Sequence, residues 1–289
     1  MNRPRLDDPA WLDAQYNNRA RVIDAQAILA RWASASAAAR DGSPRKRLDI
    51  RYGDGPNETL DIFPAGQANA PVLVFIHGGY WRALDKSDHS FVAPSFVADG
   101  ATVVVPNYAL CPATTIDAIA LQMAHALAWV WRRIGEFGGD RARIALAGHS
   151  AGGHLVAMLQ SCRWKQLAED LPAQITIGGL AISGLYDLEP VRRTPFLQDD
   201  LRITPATVAR ASPAFFPRPK AAGPMFAAVG ADESEEFLRH NQLIRDVWGP
   251  TAVPVCETVP GTNHFTVLES LVDPKGRLHE LASRLLRLR

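Results

Sequence analysis

The chain has 289 residues, with 31 Lys or Arg against 30 Asp or Glu, so its formal charge is only +1. This balance disfavours a nucleic-acid-binding protein, because binding to phosphates needs a strongly basic surface. Hydrophobic residues make up 47% and charged residues 21% of the chain, which is typical of a folded globular protein and excludes a disordered one.

The cysteines and the amino terminus predict a cytoplasmic protein with no membrane segment. Cys111, Cys162 and Cys256 are too far apart for a CxxC metal site and too few for a disulfide framework, which favours a reducing compartment. No run of about 20 apolar residues is present to cross a bilayer. The start of the chain carries early acidic residues and lacks the apolar core of a signal peptide.

The first predicted elements are helices in the N-terminal segment. From Pro9 onward the chain is rich in Ala, Arg, Gln and Leu, and it has no glycine before Gly42. Pro44 follows soon after, so this pattern predicts one or two helices that end at Gly42. We therefore assign residues 1–44 to a helical cap segment, which either packs as filler or covers a site, and residues 45–289 to the main domain.

A strand-rich pattern begins after the N-terminal segment. Residues 48–53 and 58–65 alternate apolar and polar side chains around Asp54-Gly55, which predicts an antiparallel hairpin. Short apolar runs follow that are typical of strands buried on both faces: 72–77, 102–106, 143–148, 175–183, 225–230 and 253–259. Helical candidates separate them: Ser90–Asp99, Ile116–Phe137, Ala151–Cys162, Glu235–Trp248 and Pro274–Leu288. This alternation predicts an α/β fold in which helices cover both faces of a mostly parallel sheet.

One long interval, residues 184–223, interrupts the alternation. It is rich in proline and has no clear strand pattern. Because ordinary connections are much shorter, we predict a lid-like excursion over the site with one or two helices. A disordered insert is the alternative, but the apolar residues Leu185, Tyr186, Phe196 and Phe215 argue against it.

The sequence Gly148-His149-Ser150-Ala151-Gly152 has the form G-x-S-x-G. It follows a predicted strand and opens a predicted helix, which is the context of a nucleophilic serine on a sharp strand-to-helix turn. The pentapeptide alone is a weak signal, since glycine and serine are common in turns. Its position between strand and helix favours Ser150 as a nucleophile over a turn of small residues that serves only packing.

A serine hydroxyl needs a base to remove its proton. His264 lies in a loop after the last predicted strand and before the terminal helix, where this type of enzyme has its histidine. His125, His240 and His279 fall inside predicted helices, and His154 lies four residues past the serine. We therefore expect His264 to be the base.

The third member of such a triad is an acid that orients the imidazole. Asp232 and Glu233 both follow the predicted strand 225–230. Adjacent side chains point in different directions, so we expect only one of them to reach the histidine. Either carboxylate is chemically competent, and the choice stays open at this point.

A hydrolase of this type also needs N–H groups that stabilise the negative charge on the carbonyl oxygen. The strand 72–77 ends in His77 and is followed by two glycines, Tyr80 and Trp81. Because glycine lets the backbone approach a ligand closely, we predict that the N–H groups of Gly79, Tyr80 and Ala151 form an oxyanion hole.

Other kinds of site have no support in the sequence. It contains no HExxH motif, no Cys/His cluster, no Walker loop and no GxGxxG after a strand. We therefore expect that the protein uses neither a metal nor an organic cofactor. We expect its substrate to be a small molecule. Self-association into a homo-oligomer stays open.

These motifs carry a resemblance that covers most of the main domain. HGGYW at 77–81, followed by GHSAGGHL at 148–155, is similar to the arylformamidases (kynurenine formamidases) in the hormone-sensitive-lipase-like esterase group of α/β hydrolases. LDIRYGDGPNETLDIFP and VVVPNYALCP also resemble that family. HGGxW is moderately specific, whereas GxSxG marks only the superfamily.

The resemblance implies an α/β-hydrolase fold with Ser150 as nucleophile and His264 as base. The acid of the family stands third after the glycine of V-G-x-x-[DE], which implies Glu233, although many relatives have Asp there. The implied reaction is hydrolysis of N-formyl-L-kynurenine to kynurenine and formate in tryptophan breakdown, with no cofactor.

The substrate depends on the shape of the cleft. A formyl group is small, so a formamidase needs a tight acyl site beside a cleft for an aryl ring; we expect this cleft to be lined by aromatic residues, namely Tyr80, Trp81, Tyr186, Phe215 and Phe265. Core packing is the alternative for about half of them. A carboxylesterase for short acyl or aryl esters is the second functional hypothesis, and a non-catalytic partner-binding module is the third.

Overall fold

The computed structural model describes residues 5–217 and 222–288, and its centre is an eight-stranded sheet. The strands of this sheet are β1 (Arg47–Arg51), β2 (Thr59–Phe63), β3 (Ala70–Ile76), β4 (Thr102–Pro106), β5 (Gly139–His149), β6 (Gly178–Ile182), β7 (Met225–Gly230) and β8 (Val255–Val259). Their order across the sheet is β1-β2-β4-β3-β5-β6-β7-β8.

The hairpin and the parallel sheet are both confirmed. β1 pairs antiparallel with β2, and β2 pairs antiparallel with β4, whereas the remaining neighbours are parallel. All residues of β3, β4, β6 and β7 are buried, while β1 is largely exposed. This is the expected difference between central parallel strands, which are covered on both faces, and an antiparallel edge strand.

Helices cover both faces of the sheet. Their bounds are α1 (Pro9–Tyr16), α2 (Asn18–Arg21), α3 (Ala25–Asp41), α4 (Ala93–Ala98), α5 (Ile116–Arg133), α6 (Ala151–Gln160), α7 (Trp164–Leu167), α8 (Leu188–Arg193), α9 (Pro195–Leu201), α10 (Pro205–Ala211), α11 (Glu235–Trp248), α12 (Glu269–Val272) and α13 (Arg277–Leu286). Two buried hydrophobic clusters lie between the layers. The predicted α/β-hydrolase architecture is therefore confirmed.

The N-terminal segment contains three helices instead of the predicted one or two. The first break falls at Asn17, whose side chain accepts a hydrogen bond from the N–H of Ala20 and so begins α2. α1 packs against α8, α9 and α11, while α3 packs against the short 3₁₀ turns at 86–92 that follow β3. The N-terminal segment thus contacts the main domain at the lid-like excursion, at α11 and at the loop after β3. Residues 1–4 lie outside the described part.

The excursion at 184–223 also has more helices than predicted. Three short helices, α8 to α10, precede a 3₁₀ turn at Pro213–Phe215, and residues 218–221 lie outside the described part. Pro195 and Pro205 occupy the first turns of α9 and α10. Proline is tolerated at a helix start but not in its interior, so each one begins a new helix.

None of the helices in 5–217 and 222–288 has the length and hydrophobicity of a membrane span.

Candidate active site

Ser150 lies on the sharp turn between β5 and α6. Its backbone has a φ of 57° and a ψ of −117°, a conformation that costs energy for any residue with a side chain. The Ser150 N–H donates to the carbonyl oxygen of Ile182 in β6 (2.8 Å), which holds the turn against the sheet. A Cβ at Gly152 would lie 2.0 Å from the carbonyl oxygen of Ile76, so only glycine fits there. This geometry is that of a nucleophile elbow.

His264 lies in the loop after β8, with its imidazole against the serine. Its Nε2 is 3.1 Å from Ser150 Oγ. The loop is held by Asn263, whose side-chain oxygen accepts from the N–H groups of Phe265 and Thr266 (2.9 and 3.0 Å). The Nε2–H of His149 donates to the His264 carbonyl oxygen (2.8 Å). The position of the ring thus follows from local hydrogen bonds on both sides of the loop.

The structure brings Glu233, and not Asp232, to the imidazole. Glu233 Oε2 is 2.6 Å from His264 Nδ1. Its other oxygen accepts from the N–H of Gly230 (2.8 Å) and from the hydroxyl of Ser183, and its side chain is fully buried. Asp232 is exposed, and its N–H donates to the carbonyl oxygen of Thr262 (3.0 Å).

These contacts determine the tautomer of His264. An ionised carboxylate can only accept hydrogen bonds, so Nδ1 must carry a hydrogen that it donates to Glu233. In the neutral imidazole this leaves the lone pair of Nε2 free to accept the hydroxyl proton of Ser150. The three side chains therefore form one hydrogen-bonded row with the polarity that general-base activation requires.

The neighbouring His149 remains neutral beside this row. Its ring centre is 4.8 Å from that of His264. Burial, together with the nearby His264, lowers the pKa of His149 well below the usual value for histidine. A positive charge that forms on His264 during the reaction therefore has no second cation against it at this position.

Ser183 is a part of this site that the sequence analysis missed. It follows β6 with a φ of 52°, and its buried hydroxyl donates to Glu233 Oε1. No motif identifies it, because its role depends on the parallel pairing of β6 with β7. A single serine at the end of a strand is a common residue in α/β folds.

Removing the Ser183 hydroxyl is expected to lower kcat about 10-fold, because it leaves Glu233 with one fewer charge-assisted hydrogen bond and a less fixed position. Ser183→Ala and Ser183→Gly both remove the hydroxyl, but only glycine relieves the positive φ. Equal losses of kcat in the two variants would assign the effect to the hydroxyl, whereas wild-type rates in both, at unchanged melting temperature, would contradict this role.

The turn after β3 lines the same cleft as Ser150. Gly79, Tyr80 and Trp81 have φ values of 102°, 49° and 55°. The hydroxyl of Tyr108 donates to the carbonyl oxygen of His77 (2.9 Å) and fixes the start of the turn. In the part of the chain that the structure describes, the N–H groups of Gly79 and Tyr80 donate to no other group.

Ala151 is the first residue of α6, so its N–H has no acceptor within that helix. Ala151 directly follows Ser150 in the chain. Gly78, at the start of the turn after β3, is also close to Ser150, because a Cβ at Gly78 would lie 3.1 Å from that of Ser150. The turn after β3 and the start of α6 therefore meet at the nucleophile. The predicted donors Gly79, Tyr80 and Ala151 belong to these two segments.

A cleft of about 440 Å³ opens in front of Ser150 and His264. Five aromatic residues are part of its walls: Tyr16, Trp32, Tyr80, Phe196 and Phe265. Its remaining lining includes the charged residues Arg19, Arg82 and Asp200. Such a cleft suits a small substrate with an aromatic ring and a polar end.

Three of the five aromatic residues predicted for the cleft lie elsewhere. Tyr80 and Phe265 line it as expected. Trp81 and Tyr186 are fully buried in the core instead; the Trp81 ring packs edge-on against His154 with 4.9 Å between ring centres. Burial of these large side chains stabilises the core, and neither reaches the cleft. Phe215 is 60% exposed and also lies outside it.

Much of the cleft lining could not be identified from the sequence. The N-terminal segment contributes Tyr16, Asn18, Leu29 and Trp32, and the lid-like excursion contributes Phe196 and Asp200. None of them lies in a recognisable motif, because what they share is a position over the site after folding.

The described residues contain no group of three or more His, Cys, Asp or Glu side chains arranged to hold a metal ion.

Comparison with known families and proteins shows what the whole chain is similar to. A family model described as alpha/beta hydrolase fold matches residues 73–242. A kynurenine formamidase from Danio rerio is 30% identical over 262 residues, which cover 86% of this chain and 87% of the relative. The esterase LipC from Mycobacterium tuberculosis is 32% identical over 145 residues, 48% of this chain and 36% of the relative.

A solved structure is similar over nearly the whole chain. The crystal structure of a proposed thioesterase from a Silicibacter species superposes with a TM-score of 0.84 at 29% identity, and the match covers 94% of this chain and 98% of the other. The similarity thus includes the N-terminal segment as well as the sheet.

Proposed function

Because the chain belongs to the α/β-hydrolase family, we propose that it is a serine hydrolase that cleaves N-formyl-L-kynurenine to kynurenine and formate. The observation that carries this proposal is the hydrogen-bonded row Ser150–His264–Glu233, which opens on an aromatic cleft. The formamidase relative adds support, since the match extends over most of both chains. The reaction would be a step of tryptophan breakdown.

In the first half of the proposed reaction, Ser150 Oγ attacks the formyl carbon while His264 Nε2 takes the hydroxyl proton. The N–H groups of Gly79, Tyr80 and Ala151 donate to the carbonyl oxygen as it becomes negative. Glu233 stabilises the imidazolium. When the C–N bond breaks, His264 gives its proton to the leaving aniline nitrogen, and the formyl group stays on the serine.

In the second half, water attacks the formyl-serine and His264 again takes a proton. The same N–H groups stabilise the second oxyanion. Breaking the bond to Ser150 Oγ then releases formate, and the proton on His264 returns to the serine. Each step uses only groups of this chain and water, so the reaction needs no cofactor.

The size and lining of the cleft support an aryl substrate. Its volume is about 440 Å³, which is at the small end for sites that hold drug-sized ligands. Tyr80 and Phe265 stand on the two loops that carry the oxyanion donors and the histidine, so an aromatic ring between them would place its formamide at Ser150.

We also propose that residues 1–44 act as a cap on the catalytic domain 45–289, with 184–223 as a lid. Tyr16 and Trp32 from the first segment and Phe196 from the second line the same cleft, which supports both roles. The hydroxyl of Tyr80 donates to the carbonyl oxygen of Tyr16 (2.7 Å) and so connects the N-terminal segment to the turn after β3.

A carboxylesterase for short acyl or aryl esters is the second candidate. It would use the same serine, histidine and N–H donors, and the similarity to an esterase from Mycobacterium tuberculosis favours it. An ester is also the easier substrate chemically, because an alcohol leaves more readily than an aniline. The two candidates differ only in the substrate that the cleft selects.

We expect a higher kcat/KM for N-formyl-L-kynurenine than for p-nitrophenyl acetate or butyrate, because the aryl formamide fills the cleft and leaves a small acyl group on the serine. Steady-state kinetics with the three substrates, with the Ser150→Ala variant as background, tests this expectation. A kcat/KM for the esters 100-fold above that for the formamide would reverse the ranking of the two functions.

A further inference from the structure

An ion pair lies in the wall of the cleft, apart from the catalytic row. Arg82 directly follows Trp81 of the turn after β3, and its Nη1 donates to a carboxylate oxygen of Asp200 and to the carbonyl oxygen of Phe196 (3.1 Å). Both charged residues line the same cleft as Ser150. The pair thus joins the turn after β3 to α9 of the lid.

Arg82 and Asp200 each have polar atoms that take no part in the ion pair. Within 5–217 and 222–288, the Nε and Nη2 groups of Arg82 donate to nothing, and Oδ1 of Asp200 accepts from nothing. Guanidinium has five N–H donors in a fixed plane, so three remain for a ligand. The Arg82 side chain is 26% exposed and that of Asp200 is 46% exposed, and both residues line the cleft.

The guanidinium is held in one orientation. Its central carbon lies 5.4 Å from the centre of the Phe196 ring, and that ring also lines the cleft. A cation over an aromatic face gains stabilisation, which adds to the hold of the ion pair on the guanidinium. Arg19 adds a second cation to the lining.

We infer that Arg82 and Asp200 form a subsite for the zwitterionic amino-acid end of the substrate. A carboxylate would accept from the free edge of Arg82, while an ammonium would donate to the free oxygen of Asp200. A ligand with one charge of each sign matches the pair without leaving either partner unpaired. This inference rests on the proposed function. It adds that the preferred substrates are aryl formamides with an α-amino-acid side chain.

Two substrates with the same reacting group differ in whether they carry the amino-acid end. N-formyl-L-kynurenine carries the amino-acid end, whereas N-(2-acetylphenyl)formamide has the same ring, ketone and formamide without it. The ratio of kcat/KM for the charged substrate to that for the neutral one therefore measures the subsite alone. Because the charged end is remote from the formyl carbon, the change is expected mainly in KM.

Asp200→Asn is expected to lower this ratio by roughly 10- to 100-fold, the effect of losing a charged hydrogen bond. Arg82→Gln should lower it in the same direction. The matched control is Asp199→Asn, which removes the same charge one residue away, outside the cleft lining, and should keep the ratio within about twofold. Equal losses on both substrates, or an unchanged ratio in Asp200→Asn, would mean that the pair only anchors α9 and would overturn the inference.

A second measurement does not depend on formamide hydrolysis. L-kynurenine should inhibit hydrolysis of p-nitrophenyl acetate more strongly than 2-aminoacetophenone does, and Asp200→Asn should remove most of that difference. If the wild type cleaves no formamide but shows this pattern, the proposed function fails and the subsite stands. If it cleaves formamides while kynurenine and the neutral amine inhibit equally, the subsite fails and the function stands.

Discussion

Ser150→Ala is expected to lower kcat by at least about 10⁴-fold on whichever substrate the enzyme prefers. The alanine removes the hydroxyl oxygen that lies 3.1 Å from His264 Nε2, so the acyl-enzyme cannot form. The remaining N–H donors still stabilise an oxyanion, which is why a small residual rate is expected instead of none. The fold should survive, because the backbone contact of residue 150 to Ile182 does not involve the side chain.

The measurement is kcat beside the melting temperature and labelling by a fluorophosphonate probe. Ser161→Ala, near the other end of the same helical stretch, is the matched control, since its hydroxyl only donates to the carbonyl oxygen of Ala157 (3.1 Å). It should keep wild-type activity and labelling. Retention of more than a few per cent of the wild-type rate by Ser150→Ala would refute the assignment of the nucleophile.

Glu233→Gln is expected to lower kcat by about 10³- to 10⁴-fold, the range for loss of the productive histidine tautomer. A glutamine can turn its amide N–H₂ toward His264 Nδ1, which then accepts and leaves the hydrogen on Nε2. In that tautomer the imidazole cannot take the proton of Ser150. The buried amide would also lose the charge that stabilises the imidazolium, while its size and packing stay almost unchanged.

Asp232→Asn is the matched control, because it changes the adjacent acid in the same way. Asp232 is exposed and makes its hydrogen bond through the backbone, so kcat should stay within about threefold of wild type. Steady-state kinetics of the two variants at one pH compares them directly. A larger loss in Asp232→Asn than in Glu233→Gln would overturn the assignment of the acid.

Local patterns in the sequence are sufficient for most of the elements. The buried strands match the apolar runs closely, and β4, β7 and α11 coincide with their predictions. The reason is that apolar periodicity and helix caps act over a few residues, so they can be read without knowing the fold. The number of helices was predicted wrongly at Asn17, Pro195 and Pro205, where new helices begin. The helices on either side of these residues are short, so each has too few residues for a clear apolar periodicity.

The sequence alone identified the segments that we propose to carry the chemistry, and the structure brings them together at one cleft. The G-x-S-x-G turn, the glycines after β3 and a histidine near the chain end are local signals, and each lies where the fold needs it. Residue types and spacing left Asp232 and Glu233 open, and only the family resemblance implied Glu233; the tertiary structure places Glu233 at the imidazole, because it sets which of two adjacent side chains faces the loop after β8.

The same limit applied to the walls of the cleft. Trp81 and Tyr186 are aromatic and near the motifs, yet they pack in the core, while Trp32 and Asp200 come from distant segments to line the cleft. A side chain's direction is set by the residues it packs against, and those neighbours are remote in sequence. Motifs and their spacing therefore predicted a serine hydrolase, whereas the shape of the cleft depends on how the N-terminal segment and the lid-like excursion pack over the sheet.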